Sequence, residues 1–287
     1  MSGANGERAK YKHIEVEPNA GVGAFVSGVD LNDFSDAALK EMKRAFAENS
    51  VLFFRGQDLS EVQHLELARR WGEINVNRFF AHVDGYPEIA QVLKEPDQQL
   101  NIGGGWHTDH SYDQIPAMGS MLIALETPTV GGDTLFASTC AAYEALSDGL
   151  KKTLSGLQAV HSSRHVFGAH AGRPDDLSTR FGNEEAATQD AIHPAVITHP
   201  LSGRKSLYVN PGFTLRFDGW SDEESEPLLR YLYQHIGRPE FCYRLQWAPG
   251  TLAFWDNRAT WHWAVNDYQG QRRLMHRITL EGCAVAA

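Results

Sequence analysis

The sequence predicts a mainly β protein with flanking helices, built around a sandwich or barrel of the jelly-roll kind. Three observations lead there. Short apolar and β-branched runs recur through the second half of the chain, each closed by turn residues. Only one long helical stretch, roughly Glu224 to His235, interrupts them. The first half opens as strand–helix–strand–helix, an order that packs against one side of a larger sheet. With 287 residues and 42% hydrophobic content, the chain can bury a sizeable core.

Each element has its own reason. Ile14 to Asp30 alternates and carries the Gly-rich stretch Gly21–Asp30, which suggests short strands and turns. Ser35 caps a helix to about Asn49, with Ala38, Leu39, Met42, Ala45 and Phe46 at helical spacing. Val51–Phe54 is a continuous apolar run and reads as a buried strand. Ser60 with Gln63 forms a capping box for a second helix, which runs through Trp71. Residues 74 to 105 read as strand plus long loop, and Gly103-Gly104-Gly105 supplies a hinge or a close backbone approach. An extended His107-Thr108-Asp109 segment follows. Met118–Glu126 and Thr134–Ala137 are strands on either side of the Pro128–Asp133 turn, and two short helices fill Thr139 to Leu157, the second capped by Ser147. Residues 162–192 lack periodicity and read as a mobile lid. Later strands are expected at Val196–His199, Ser206–Asn210, Cys242–Gln246, Thr251–Trp255 and Arg277–Leu280. Pro249-Gly250 reads as a hairpin turn, and Pro227 is tolerable only in the first turn of its helix.

Bulk properties exclude several classes. A formal net charge of −10 argues against nucleic acid or an anionic membrane as partner. No run of about 18 apolar residues occurs, so no membrane span is expected. The N-terminal residues lack the apolar stretch of a signal peptide. Three scattered cysteines, Cys140, Cys242 and Cys283, fit a reducing compartment, and the chain reads as cytoplasmic. Residues 1–12 are expected to be a flexible N-terminus ahead of a single domain over 13–287.

The chemistry begins at Trp106-His107-Thr108-Asp109-His110. Residues two apart on a strand point the same way, so His107 and Asp109 can grip one ion from one side. His262 is the candidate third ligand. Two histidines and one carboxylate on one face, with the other face open, suit a non-haem Fe(II) oxygenase. Three further elements stand with this one in order: Gly131-Gly132-Asp133-Thr134, Trp255-Asp256-Asn257-Arg258 leading to His262, and Gln271-Arg272-Arg273-Leu274-Met275-His276-Arg277.

Taken together, these four elements resemble the taurine/2,4-dichlorophenoxyacetate dioxygenase family of Fe(II)/2-oxoglutarate oxygenases, from about Glu15 to Gly282. The resemblance implies a double-stranded β-helix core and a metal site of His107, Asp109 and His262. It further implies that 2-oxoglutarate and O₂ complete the Fe(II) coordination. Arg273, eleven residues after His262, matches the position that holds the far carboxylate of 2-oxoglutarate, and Thr134 matches a hydroxyl bonded to the same carboxylate. An Arg fork suits that task because it binds carboxylate bidentately. Arg277 matches the position that grips an anionic substrate end. The implied reaction hydroxylates a small organic sulfonate or carboxylate, with release of succinate and CO₂. A homo-oligomer, dimer or tetramer, is implied as well.

Departures concern the substrate. The taurine enzymes carry histidine after the second helix and Asn four residues before the first ligand. Here those regions read Ile74-Asn75-Val76-Asn77-Arg78 and Gly103. His110, Asn77 and Phe79 are therefore candidate substrate contacts, with Phe80, His82, Tyr112 and Phe213 as further aromatic walls, for a substrate larger or flatter than taurine. Trp106, Trp255, Trp261 and Trp263 read as core, and Arg258 and Arg272 as structural. His161, His165, His170, His193 and His199 show no ligand spacing and read as surface or lid residues. Two alternatives stand beside hydroxylation: the same cofactor chemistry ending in desaturation or C–X cleavage, and a metal-containing jelly roll that binds a small acid without turnover.

Overall fold

The computed structural model describes residues 11–169, 171 and 180–287. Residues 1–10 of the expected flexible terminus, and residues 170 and 172–179 of the expected lid with His170, lie outside the described residues. Seventeen strands dominate the described chain. In the first half they are β1 (Glu15–Pro18), β2 (Ala24–Ser27), β3 (Val51–Phe54), β4 (Ile74–Asn75), β5 (His82–Val83), β6 (Tyr86–Lys94), β7 (Gly119–Glu126) and β8 (Thr134–Ser138). The second half supplies β9 (Gln158–Ser162), β10 (Asp190–Pro194), β11 (Val196–Thr198), β12 (Lys205–Leu207) and β13 (Thr214–Phe217). It closes with β14 (Cys242–Leu245), β15 (Leu252–Asp256), β16 (Thr260–Ala264) and β17 (Arg273–Leu280).

The large sheet runs β1-β2-β3-β15-β7-β17-β6-β5, with β4 also on β17. Its pairs are antiparallel except β2 with β3. A second sheet, β14-β8-β16, faces it, and β10-β9-β13 and β11-β12 form two smaller sheets. This is the jelly-roll core that the turn-separated strands predict. The continuous apolar runs follow from burial on both faces. Leu52 and Phe54 of β3, with Leu252 and Phe254 of β15, pack under the N-terminal helices. Val51, Phe53, Ala253 and Trp255 point the other way, into the sandwich, where they meet Phe136 and Leu245 of the second sheet. Strand β17 follows the same alternation: Ile278 and Leu280 face the helices, whereas Met275 faces the sandwich. Arg273 and Arg277 share the parity of Met275 and so turn inward.

The first two helices form as their signals dictate. Ser35 accepts from the Ala38 amide at the head of Asp36–Asn49, and Ser60 with Gln63 closes the capping box of Glu61–Trp71. Phe46 stacks on Phe254 at 4.2 Å, which docks the first helix on the sheet. Burying side chains of this size contributes roughly 1.5–3 kcal/mol each.

Three expectations need correction. The segment read as strand plus long loop over 74–105 contains, within the expected loop, β6, nine residues that pair with β17. Its polar Glu88 and Gln91 hide the alternation, and Pro87 is tolerated because it stands at the strand start. Pro249-Gly250 is not a hairpin turn: β14 pairs with β8 and β15 with β3 and β7, so this turn carries the chain from one sheet to the other. The long C-terminal helix starts at Asp222, capped by Ser221 and Glu224, which puts Pro227 in its sixth position, beyond the first turn. Within 162–192, the described residues hold a helical turn Arg164–Phe167, a 3₁₀ turn Glu184–Ala186 and the start of β10.

Candidate active site

The sandwich opens into a cavity of about 650 Å³ whose wall includes His107, Asp109, His262, Thr134, Arg273 and Arg277. His107 and His262 lie 155 residues apart in sequence, yet they exchange both backbone hydrogen bonds, at 3.1 and 2.9 Å. That single bridge sets their rings 4.1 Å apart. Asp109 does not continue a strand. The ladder stops at His107, Thr108 donates to the Asn257 carbonyl at 2.6 Å, and His110 takes φ +58° to turn the chain. The turn nonetheless brings the Asp109 oxygens to 3.8 Å from His107 Nε2 and 3.6 Å from His262 Nε2. One donor atom from each of the three residues lies within 4.8 Å of the others.

These donors fit a metal ion. Atoms that share an ion at about 2.1 Å each stand no more than about 4.2 Å apart, close to the spacing seen here. His107 Nδ1 is committed to the Gly105 carbonyl at 2.8 Å, which leaves Nε2 for the ion. Burial, then the neighbouring His107, hold His262 well below its ordinary pKa despite Asp109, so it stays neutral and ligand-competent. Burial opposes ionisation of Asp109, but Arg277 and then His262, His107 and His110 outweigh it and keep the carboxyl well below its usual range. Two glycines make the room. A Cβ on Gly212 would stand 2.7 Å from His107 Cβ, and one on Gly103 (φ +80°) would stand 3.2 Å from the His107 ring. Gly103 is thus the close approach expected of the glycine run, whereas Gly212 carries no sequence signal.

A second group gathers on strands. Thr134 and Phe136 of β8 lie opposite Ala264 and His262 of β16 and share their face. Gly131 and Gly132 have φ of +84° and +69°, and a Cβ on Gly131 would meet Asp267 Oδ1 at 2.6 Å. That tight turn delivers the Gly132 carbonyl to Arg273 Nε at 3.2 Å. Asp133 pairs with Arg244 at 2.6 Å and so braces the turn from outside. Thr134 Oγ1 accepts a hydrogen bond from Trp247 Nε1 at 2.9 Å, a contact that sequence reasoning missed. Arg273 is buried, and its Nη2 has no hydrogen-bond partner among the described residues. A buried cation with an unused donor fits a carboxylate.

The remaining wall is aromatic and lies on loops. Arg277 Nη2 stands 2.9 Å from Asp109 Oδ2 without an aligned hydrogen bond, and its guanidinium lies over Phe80 and Trp255 at 5.5 and 5.9 Å. Asn77, Tyr112, Phe167, Phe181 and Phe213 also line the cavity. Phe79 does not: it is buried behind the wall and stacks on Phe167 at 4.3 Å, and Phe80 takes the lining position. His82 turns its Nε2 to the Asn77 carbonyl instead of the cavity. His110 lines the wall with its Nε2 unpartnered among the described residues, while Asp113 holds its Nδ1 at 2.9 Å and Arg78 in turn pairs with Asp113. Trp106, Trp255 and Trp263 line the cavity as well, beyond the core role expected of them. His161, His193 and His199 are buried, not surface residues. His161 and His193 pack together with Tyr208, and His199 bonds Asp256, which Arg258 also holds.

Comparisons with known proteins agree with this architecture. The family described as "Taurine catabolism dioxygenase TauD, TfdA family" matches residues 14–279. An alpha-ketoglutarate-dependent sulfate ester dioxygenase of Pseudomonas putida is 34% identical over 276 residues, covering 94% of this chain and 90% of the relative. The crystal structure of a taurine dioxygenase from Burkholderia xenovorans superposes with a TM-score of 0.81 at 34% identity, covering 96% of this chain and 93% of the other. A structure described as AAD-2 in complex with Mn(II) and N-oxalylglycine gives 0.76 at 30% identity, covering 96% and 99%.

Proposed function

We propose, for a chain that belongs to the taurine catabolism dioxygenase TauD, TfdA family, that His107, Asp109 and His262 hold Fe(II) and that two arginines of β17 divide two anions between them. The chain is a 2-oxoglutarate-dependent dioxygenase, an oxidoreductase. Bound there, Fe(II) with O₂ supplies the oxidation, which turns 2-oxoglutarate into succinate and CO₂ and places a hydroxyl on substrate. The observation that carries the assignment is the pair of inward guanidiniums four residues apart on one strand face. Arg273, with Thr134 beside it, takes the far carboxylate of 2-oxoglutarate. Arg277, next to Asp109, takes the anionic end of a small organic acid, with Asn77, Phe80 and His110 along its length.

The substrate we infer is a sulfonate, sulfate ester or carboxylate with an apolar or aromatic body, which the lining of Phe80, Tyr112, Phe167 and Phe213 would cover. Where the attacked carbon bears an ester or ether oxygen, the hydroxylated carbon expels that oxygen, so C–O cleavage would follow hydroxylation. Residues 13–287 act as one dioxygenase domain in this reading. Residues 162–192 serve as its lid, because Val166, Phe167 and Phe181 from this segment line the cavity. The same reading makes the protein a cytoplasmic homo-oligomer, dimer or tetramer, that acts on small molecules. Its net charge of −10 disfavours nucleic acid, and no described helix is long and apolar enough to cross a membrane. The test is succinate release with Fe(II), ascorbate and 2-oxoglutarate across sulfonates, alkyl sulfates, aryloxy acids and amino acids. Substrate-stimulated release should be confined to anions with an apolar body; stimulation by neutral analogues would overturn the role given to Arg277.

A further inference from the structure

Trp247 stands outside the cavity wall but touches both residues assigned to 2-oxoglutarate. Its Nε1–H donates to Thr134 Oγ1 at 2.9 Å, and the Arg273 guanidinium lies over its ring at 5.8 Å. An indole N–H can only donate, whereas a hydroxyl has one proton and two acceptor sites. The bond to Trp247 therefore uses the Thr134 oxygen as acceptor and leaves the Thr134 proton to point elsewhere. Thr134 is buried on the cavity wall, and Arg273 Nη2 is a buried donor with no partner among the described residues. Two donors thus converge on one end of the cavity, and a single indole braces both.

The register explains how Trp247 gets there. Strand β14 pairs with β8 so that Leu245 lies opposite Thr134. The chain then continues two residues to Trp247 before the Pro249-Gly250 turn crosses to the large sheet. A Cβ on Gly250 (φ +75°) would stand 2.8 Å from the Gln57 carbonyl oxygen, so the crossing is tight. The position of the indole is fixed at both ends, by the β14–β8 ladder and by this crossing.

We infer that Trp247 is a positioning residue for the co-substrate: it orients the Thr134 hydroxyl as a donor and steadies the Arg273 fork toward the 2-oxoglutarate carboxylate. The inference rests on the assignment of Thr134 and Arg273 to that carboxylate. Anaerobic titration of 2-oxoglutarate into Fe(II)-loaded protein, read by its visible charge-transfer band, tests both. W247F keeps the ring and removes the donor. It should raise the 2-oxoglutarate Kd about three- to ten-fold, the effect of one neutral hydrogen bond, with unchanged metal affinity. T134V should weaken binding similarly, and W247F/T134V should be no worse than T134V alone, because the N–H that W247F removes acts through the hydroxyl while an aromatic ring remains beside Arg273. An unchanged Kd in W247F, alongside a large rise in R273A, would overturn the inference and leave the carboxylate assignment intact. Unchanged Kd values in R273A and T134V would instead overturn the assignment, and the inference with it. Should W247F not fold, the indole Nε1–H resonance of Zn(II)-loaded wild type decides. It should shift when 2-oxoglutarate is added, and that shift should disappear in T134V; a shift that survives in T134V would refute the link.

Discussion

The two ends of the cavity are built differently. The end assigned to 2-oxoglutarate stands on strands: Thr134 on β8, paired with Leu245 and Ala264 on its two sides, and Arg273 on β17, paired with Lys94 of β6. The end assigned to substrate stands on loops and turns around Asn77, Phe80, His110, Tyr112 and Phe213. The first offers a buried cation, a hydroxyl and a backing indole in fixed register. The second offers aromatic faces and polar atoms such as His110 Nε2, which has no hydrogen-bond partner among the described residues. The contrast fits a scaffold that repeats one step of chemistry while its loops select the molecule to be oxidised. Arg277 sits at the boundary: its backbone belongs to β17, and its guanidinium lies over Phe80 of the loop side.

The largest effects should ignore the division, because the metal serves both ends. Replacing His107 or Asp109 by Ala should abolish the charge-transfer band of the Fe(II)–2-oxoglutarate complex and all substrate-dependent succinate release. Retention of a wild-type band in either variant would refute the ligand set.

Next come changes that should separate the ends. Arg273→Ala should raise the apparent KM for 2-oxoglutarate by about 10- to 150-fold, the range for a hydrogen bond to a charged group, and leave the substrate KM near wild type. Arg277→Ala should do the reverse. Equal rises in both constants, measured by steady-state kinetics on each variant, would erase the distinction drawn here.

Acid should act more gently, and on the substrate side. His161 of β9 is buried against His193, Tyr208 and Thr214, behind the loop that carries Asp113. Burial, then His193, push its pKa down to about 3. The folded protein therefore refuses a proton that the unfolded chain accepts near 6.5. The stabilisation is complete above about pH 6.5 and is lost as pH falls toward 3. Tm should drop between pH 7 and 5 in wild type and drop less in His161→Gln. An identical pH slope in the two proteins would exclude His161 as the cause.

Legibility in the sequence divides along the same line. Caps at Ser35 and Ser60, the apolar runs of β3, β7 and β15, and the jelly-roll class all rest on local signals, namely a side chain three residues from an amide or a run buried on both faces. The proposed metal and co-substrate residues could be picked out because four short motifs, in order along the chain, resemble those of a known family. What was not legible depends on contacts distant in sequence. Strand β6 is defined by its pairing with β17 and not by its own polarity pattern. Phe79 and Phe80 are adjacent and chemically identical, so only the packing against Phe167 decides which one faces the cavity. Trp247 and Gly212 matter through Thr134 and His107, far along the chain from each. The buried histidines His161 and His193 read as surface residues because their partners come from other strands and loops.

The reciprocal backbone bonds between His107 and His262 have a consequence for how the protein is made. A chain still emerging from the ribosome, or partly unfolded, can present His107 and Asp109, which lie almost side by side. The third donor arrives only when β16, near the far end, docks against the segment before Asp109. On the proposed ligand set, tight ferrous binding is therefore withheld until nearly the whole sandwich has closed. Oxidising iron is kept away from chains whose apolar strands are still exposed to damage, and completion of the fold becomes the licence for loading it.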